Sequence, residues 1–164
     1  MNSIKFSCPC HFGLESVLSY EVKKIGGTNI TVTDGKVNFY GDLSMIAKAN
    51  LCLSTAERVL IVLAEFEAKT FEELFQGVKA INLEDYISKD DAFPVKGYSL
   101  NSQLHSVPDC QAIIKKACVE RLKSKYNINW FEESGALVQI QFSILKDNVC
   151  IYLDTTGAGL HKRG

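Results

Sequence analysis

Asn29-Ile30-Thr31-Val32-Thr33-Asp34-Gly35-Lys36-Val37-Asn38-Phe39-Tyr40 is the stretch on which the fold turns. Two alternating runs flank Asp34-Gly35, and a tight hairpin needs a residue at its turn that accepts positive φ. Upstream, Leu14, Val17, Leu18, Val22 and Ile25 recur at helical spacing, which predicts a helix over 13–25 stopped by Gly26-Gly27. Before it, Ile4-Lys5-Phe6-Ser7-Cys8 alternates as a strand that Pro9 ends. Downstream, Asp42 is placed to cap a helix over 43–54, and Arg58–Glu67 is an apolar run of strand length. The order βαββαβ is the ferredoxin-like pattern.

A second unit follows. Thr70 caps a helix whose core stripe is Phe71, Leu74, Phe75, Val78 and Ile81, with Glu72 and Glu73 at the positive end of its dipole. A short helix or turn is expected over 83–88 and a strand over 92–100, with Pro94 near its start. The longest helix is expected over 106–126. Strands over 136–145 and 149–154 are joined by Lys146-Asp147-Asn148. The predicted class is α+β.

The chain has 164 residues, a formal charge of −1, 46% hydrophobic and 23% charged residues, proportions that exclude a disordered or collagen-like chain. No apolar run approaches the ~18 residues of a membrane span, and residues 1–9 lack the apolar core of a secretory signal. The six cysteines are scattered, and four lie in apolar-periodic segments. Buried thiols in a reducing, cytoplasmic compartment are therefore expected rather than a disulfide framework. Charge is uneven: residues 1–68 carry −1, 69–95 carry −3, 96–128 carry +4 and 129–164 carry −1. Overall neutrality excludes a uniformly basic nucleic-acid binder and leaves room for a local patch.

On the long helix, Lys115, Lys116 and Lys123 fall within about 100° of one another, apart from the apolar set Ile113, Ile114, Ala117, Cys118 and Leu122. Such a stripe suits a phosphate backbone, because each neutralised phosphate releases a counterion; it is also what any solvated helix face looks like. The preceding segment, with Lys96, Asn101, Ser102, Gln103, His105 and Ser106, is rich in amides and hydroxyls and leads to a helix N-terminus that favours anions. Taken singly, Ser106 and His105 read as capping and packing residues before they read as contacts. Cys8-Pro9-Cys10-His11 is too closely spaced for a metal knuckle, and no second Cys/His pair exists. No glycine-rich nucleotide loop and no nucleophile elbow is present. The pairs Glu72-Glu73, Asp90-Asp91 and Glu132-Glu133 read as solvated, so no catalytic apparatus is expected in this chain.

The tail Leu153-Asp154-Thr155-Thr156-Gly157-Ala158-Gly159-Leu160-His161-Lys162-Arg163-Gly164 resembles a signature of bacterial rRNA guanine-N2 methyltransferases, whose members often carry the label of adenine-specific DNA methylases. Asn50-Leu51-Cys52-Leu53-Ser54-Thr55-Ala56-Glu57-Arg58-Val59-Leu60 is similar to a second family segment, except that Ser54 stands where the family often has Arg. His105-Ser106-Val107-Pro108 and Lys115–Leu122 resemble the opening and body of the main helix of its THUMP domain.

The resemblance implies a ferredoxin-like unit over 1–67, a THUMP RNA-binding unit over 68–155 and a linker over 156–164 to a methyltransferase domain beyond Gly164. This chain itself would hold no cofactor and no metal, and the whole enzyme would use S-adenosylmethionine. The expected partners are RNA, large-subunit rRNA above all, and the enzyme's own C-terminal domain, with no membrane. Lys96, Asn101, Ser102, Gln103, His105, Ser106, Lys115, Lys116, Lys123, Lys162 and Arg163 are the expected RNA contacts. The alternatives are docking to an acidic protein partner, a parent enzyme acting on tRNA or on DNA adenine, and catalysis by Cys8, Cys10 and His11.

Overall fold

A computed structural model describes residues 3–88, 91–126 and 137–156. The chain divides into two compact units: one runs to Val62 and resumes at Asp154, and the other is Leu63–Leu153.

The first unit holds β1 (Ile4–Pro9), α1 (Glu15–Lys24), β2 (Thr28–Thr33), β3 (Lys36–Gly41), α2 (Ser44–Cys52) and the start of β4 (Leu60–Glu67). Its strand order is β2-β3-β1-β4, with β1 antiparallel to both β3 and β4, as the ferredoxin-like pattern requires. The register pairs Phe6 with Phe39 and with Ile61. The rings of Phe6 and Phe39 stack 5.1 Å apart and are fully buried with Leu18, Val22 and Ile61. Gly35 takes φ +80 at the β2–β3 turn, which only the flexible residue of the Asp-Gly pair adopts cheaply. Helix α2 begins at Ser44 rather than 43, and Asp42 holds its start by accepting the Ser44 N–H at 3.0 Å.

The second unit holds the rest of β4, α3 (Phe71–Lys79), a single 3-10 turn at Leu83–Asp85, β5 (Val95–Leu100), α4 (Val107–Tyr126), β6 (Gln139–Leu145) and β7 (Asn148–Asp154, of which Asp154 belongs to the first unit). Its order is β4-β7-β6-β5, with β5 parallel to β6. Thr70 caps α3 through a complete capping box with Glu73, as the spacing predicts. Leu74 and Val78 are fully buried, whereas Phe71, expected in the core stripe, is 40% exposed. The strand expected from residue 92 begins at Val95, because Pro94 cannot donate to the ladder; Ala92 makes only an isolated bridge to Leu137. The β6–β7 turn is Lys146-Asp147, both at positive φ (+51 and +67) without a glycine, and Asn148 already belongs to β7.

Helix α4 is anchored at its far end. Arg121 forks onto Glu84, with Nε–Oε1 at 3.0 Å and an Nη–Oε2 contact at 2.8 Å. These bonds hold the Glu84 carboxyl below its usual range despite partial desolvation. The Tyr126 hydroxyl donates to the Ile87 carbonyl at 2.6 Å.

Two sequence expectations need correction here. Asp91 is not solvated: it is buried, and its Oδ2 accepts the Ser88 N–H at 2.8 Å. Cys52 is exposed, while Cys8, Cys10, Cys110 and Cys118 are buried; none of the six cysteines is disulfide-bonded. No helix among the described residues is long and apolar enough to cross a membrane.

Candidate nucleic-acid interface

The loop after β5 is laced into the β6–β7 turn. The Ser102 hydroxyl donates to the Leu100 carbonyl at 2.8 Å and accepts the Asp147 N–H at 2.9 Å. The Gln103 N–H donates to Asp147 Oδ1 at 2.8 Å, and the Ser99 hydroxyl donates to the Leu104 carbonyl at 2.6 Å. The loop backbone is thereby fixed, with Asn101 in the left-handed region at φ +51. The side chains of Asn101, Gln103 and His105 remain exposed on it. Ser102 is occupied with holding the loop, and Ser106 Oγ accepts the Asp109 N–H at 3.4 Å at the head of α4. Both are expected RNA contacts; in the structure they bond to the protein.

Lys96 is exposed on edge strand β5, in the row Lys96, Tyr98, Leu100. Tyr98 is 53% exposed, and Leu100 and Leu145 are exposed beside it. Lys146, at the tip of the turn that braces Ser102, is exposed as well. Neither Tyr98 nor Lys146 was singled out from the sequence. The available signal was the alternation of Lys96, Tyr98 and Leu100 with the small residues Gly97 and Ser99.

The three lysines of α4 do not share one open face. Lys115 folds back, its Nζ donating to the Phe93 carbonyl at 3.1 Å and lying 3.8 Å from the Phe93 ring centre. Lys116 is exposed and Lys123 partly so, on a face that also carries Asp109 and Glu120. The exposed side of α4 is therefore mixed in sign. Lys116 lines a shallow depression with Ile113 of α4 and with Phe71, Glu72 and Phe75 of α3. His161, Lys162 and Arg163 lie outside the described residues.

The conspicuous sequence segments converge elsewhere, inside the first unit. The Asp154 carboxylate is nearly buried and meets Arg58 at 2.5 Å; its other oxygen accepts the Thr156 N–H at 2.9 Å. The Thr155 hydroxyl donates to the Val59 carbonyl at 2.7 Å and accepts from Asn50 Nδ2 at 3.0 Å. Ser54 and Thr55 give both hydroxyls and both N–H groups to the Glu21 carboxylate, at 2.5–3.2 Å. Burial works against the Glu21 charge, yet these four bonds hold its carboxyl below the usual range. At position 54 the chain thus uses a hydroxyl on an internal carboxylate. Cys8 and Cys10 are buried at the strand end, while His11 is exposed against Glu57 at 3.3 Å. Burial pushes the Cys8 thiol up to about 12, the wrong direction for a nucleophile. No group of three or more metal-ligating side chains occurs among the described residues.

Residues 68–154 match the THUMP domain, and residues 5–60 match the RlmL ferredoxin-like domain. The chain belongs to the THUMP family. "Putative RNA methyltransferase YpsC" of Bacillus subtilis is 50% identical over 155 residues, covering 93% of this chain and 40% of that protein. "Ribosomal RNA large subunit methyltransferase K/L" of Colwellia psychrerythraea is 29% identical over 153 residues, 93% of this chain and 21% of that protein. Among solved structures, a "predicted N6-adenine-specific DNA methylase" from Listeria monocytogenes matches with TM-score 0.90 and 50% identity, over 100% of this chain and 43% of that one. The THUMP chain thus spans less than half the length of these relatives.

Proposed function

We propose that this THUMP chain is the RNA-binding, substrate-recognition portion of an S-adenosylmethionine-dependent rRNA (guanine-N2) methyltransferase. The carrying observation is the THUMP match over 68–154, on a unit that exposes Lys96, Asn101, Gln103, His105, Lys116 and Lys146. Large-subunit rRNA is the expected substrate of the whole enzyme, which the name of the Colwellia relative supports; its own methyltransferase domain is the expected partner, and S-adenosylmethionine the methyl donor. In this reading Lys96, Lys123 and Lys146 meet phosphates, and Lys116 meets RNA at the α3–α4 depression. Asn101, Gln103 and His105 meet sugar or base edges. Ser102, Ser106 and Lys115 hold the scaffold that presents them. The linker residues Lys162 and Arg163 are further candidates for RNA contact.

The test is a salt titration of binding to a structured rRNA fragment between about 50 and 200 mM salt, with duplex DNA of the same sequence alongside. Log K falls with log salt, and a Lys96→Ala/Lys123→Ala/Lys146→Ala variant lowers the slope by roughly 2–3. A flat titration, or DNA bound as tightly as RNA, would overturn the proposal.

A further inference from the structure

Phe71 occupies a position that helical periodicity assigns to the core, yet it is 40% exposed at the rim of the α3–α4 depression. Phe75 supplies a second aromatic wall, and Lys116 and Glu72 supply one cation and one carboxylate. Gln76 Nε2 donates to Glu72 Oε2 at 2.8 Å, which fixes the carboxylate while leaving acceptor capacity on both oxygens. An aromatic face with one donor cation and one fixed acceptor pair on its rim matches the chemistry of one nucleobase. From this we infer that the depression receives an unpaired guanine nucleotide, an inference that rests on the RNA-binding reading and narrows it.

Guanine's Watson–Crick edge presents O6, N1–H and N2–H₂ in a row, one acceptor followed by two donors. The Glu72 carboxylate accepts N1–H and N2–H₂, the Lys116 ammonium donates to O6, and the ring stacks on Phe71. Adenine in the same pose sets its N6 donor against Lys116 and its N1 lone pair against Glu72. Cytosine opposes both groups in the same way. Uracil satisfies Lys116 with O4 and Glu72 with N3–H, but sets O2 against the carboxylate. The site therefore selects guanine partly by repelling the alternatives.

The experiment uses the full chain and fluorescence anisotropy with a short all-uridine RNA, compared with the same RNA carrying one central guanosine or one central adenosine. The guanosine RNA binds about tenfold more tightly than the adenosine RNA. Glu72→Gln abolishes that preference, because the amide presents one acceptor oxygen and one donor nitrogen where the carboxylate presents two acceptors. Phe71→Ala weakens the guanosine RNA, and Phe71→Tyr restores it; circular dichroism verifies that each variant is folded. Equal affinity for the guanosine and adenosine RNAs, or a preference that survives Glu72→Gln, overturns the guanine site. If all three RNAs bind equally with a salt-dependent slope, the guanine site falls and RNA binding stands. If none of the three binds, the guanine site falls, and the titration with the structured rRNA fragment separately decides the RNA-binding reading.

Discussion

Several side chains that stand out in the sequence are occupied in the structure with holding the protein together. Ser54 shows this most clearly, because with Thr55 it places four hydrogen bonds on the Glu21 carboxylate. Burial alone would raise its pKa, and the bonds reverse the sign. A carboxyl lowered in the folded state contributes stability that is fully present above the ordinary glutamate range. That contribution is lost as pH falls through the folded value. Glu21→Gln is therefore expected to cost about 1 kcal/mol at neutral pH, read from urea midpoints. The gap to the parent should close as the titration enters the carboxylate range; a gap that widens in acid would contradict the assignment. Lys115 gives the complementary lesson. A helical wheel places its Cα beside those of Lys116 and Lys123, but a wheel carries no information on where a four-carbon stem bends. Here the stem bends inward, to the Phe93 carbonyl and ring.

Among the elements, those with strong local chemistry were readable in advance. The Asp34-Gly35 hairpin, the Thr70 capping box and the alternating strands need only neighbours in sequence, so their residues declare them. What local chemistry does not declare is packing at a distance. Helix α3 is a case where two local rules conflict. Gly77 lies inside the helix, where replacing glycine by alanine ordinarily gains about 0.5–1 kcal/mol. A Cβ built there would lie 2.3–2.7 Å from atoms of the Phe66 ring. Overpacking of this kind costs about 1–3 kcal/mol and wins. Gly77→Ala is expected to lower the melting temperature although it improves helix propensity. A rise would mean that the Phe66 ring turns away without cost. The β6–β7 turn is one residue shorter than the sequence predicts for a related reason: Lys146 and Asp147 take positive φ without glycine, held by Ser102 and Gln103 of a loop about 45 residues away in sequence.

Across the molecule, the expectation of buried thiols held for four of the six cysteines and failed at Cys52, which lies on the outer side of α2. Burial pushes both Cys8 and Cys118 up to about 12 and raises Cys10 and Cys110 as well. Alkylation of the native protein near pH 8, followed by intact mass, should label Cys52 first and the half-buried Cys150 more slowly. Cys8 and Cys118 should react only once denaturant is added, and prompt labelling of either would show that the core opens. Fold class was legible because periodicity and turn chemistry survive averaging over the chain. The candidate interface was legible only as a region. Asn101, Gln103, His105 and Lys116 are exposed where the sequence expects them, while the exposure of Lys146, Tyr98 and Phe71 depends on which neighbours cover them.

The Asp154–Thr156 segment has a practical corollary for anyone who wishes to study either half in isolation. The first unit is sewn shut by residues that come about 100 positions later in the chain, with Thr155 stitched to Asn50 and Val59, and Asp154 to Arg58. An expression clone cut after residue 67 would therefore deliver that half without its closing seam. A clone that fuses the returning segment directly behind β4 would keep it.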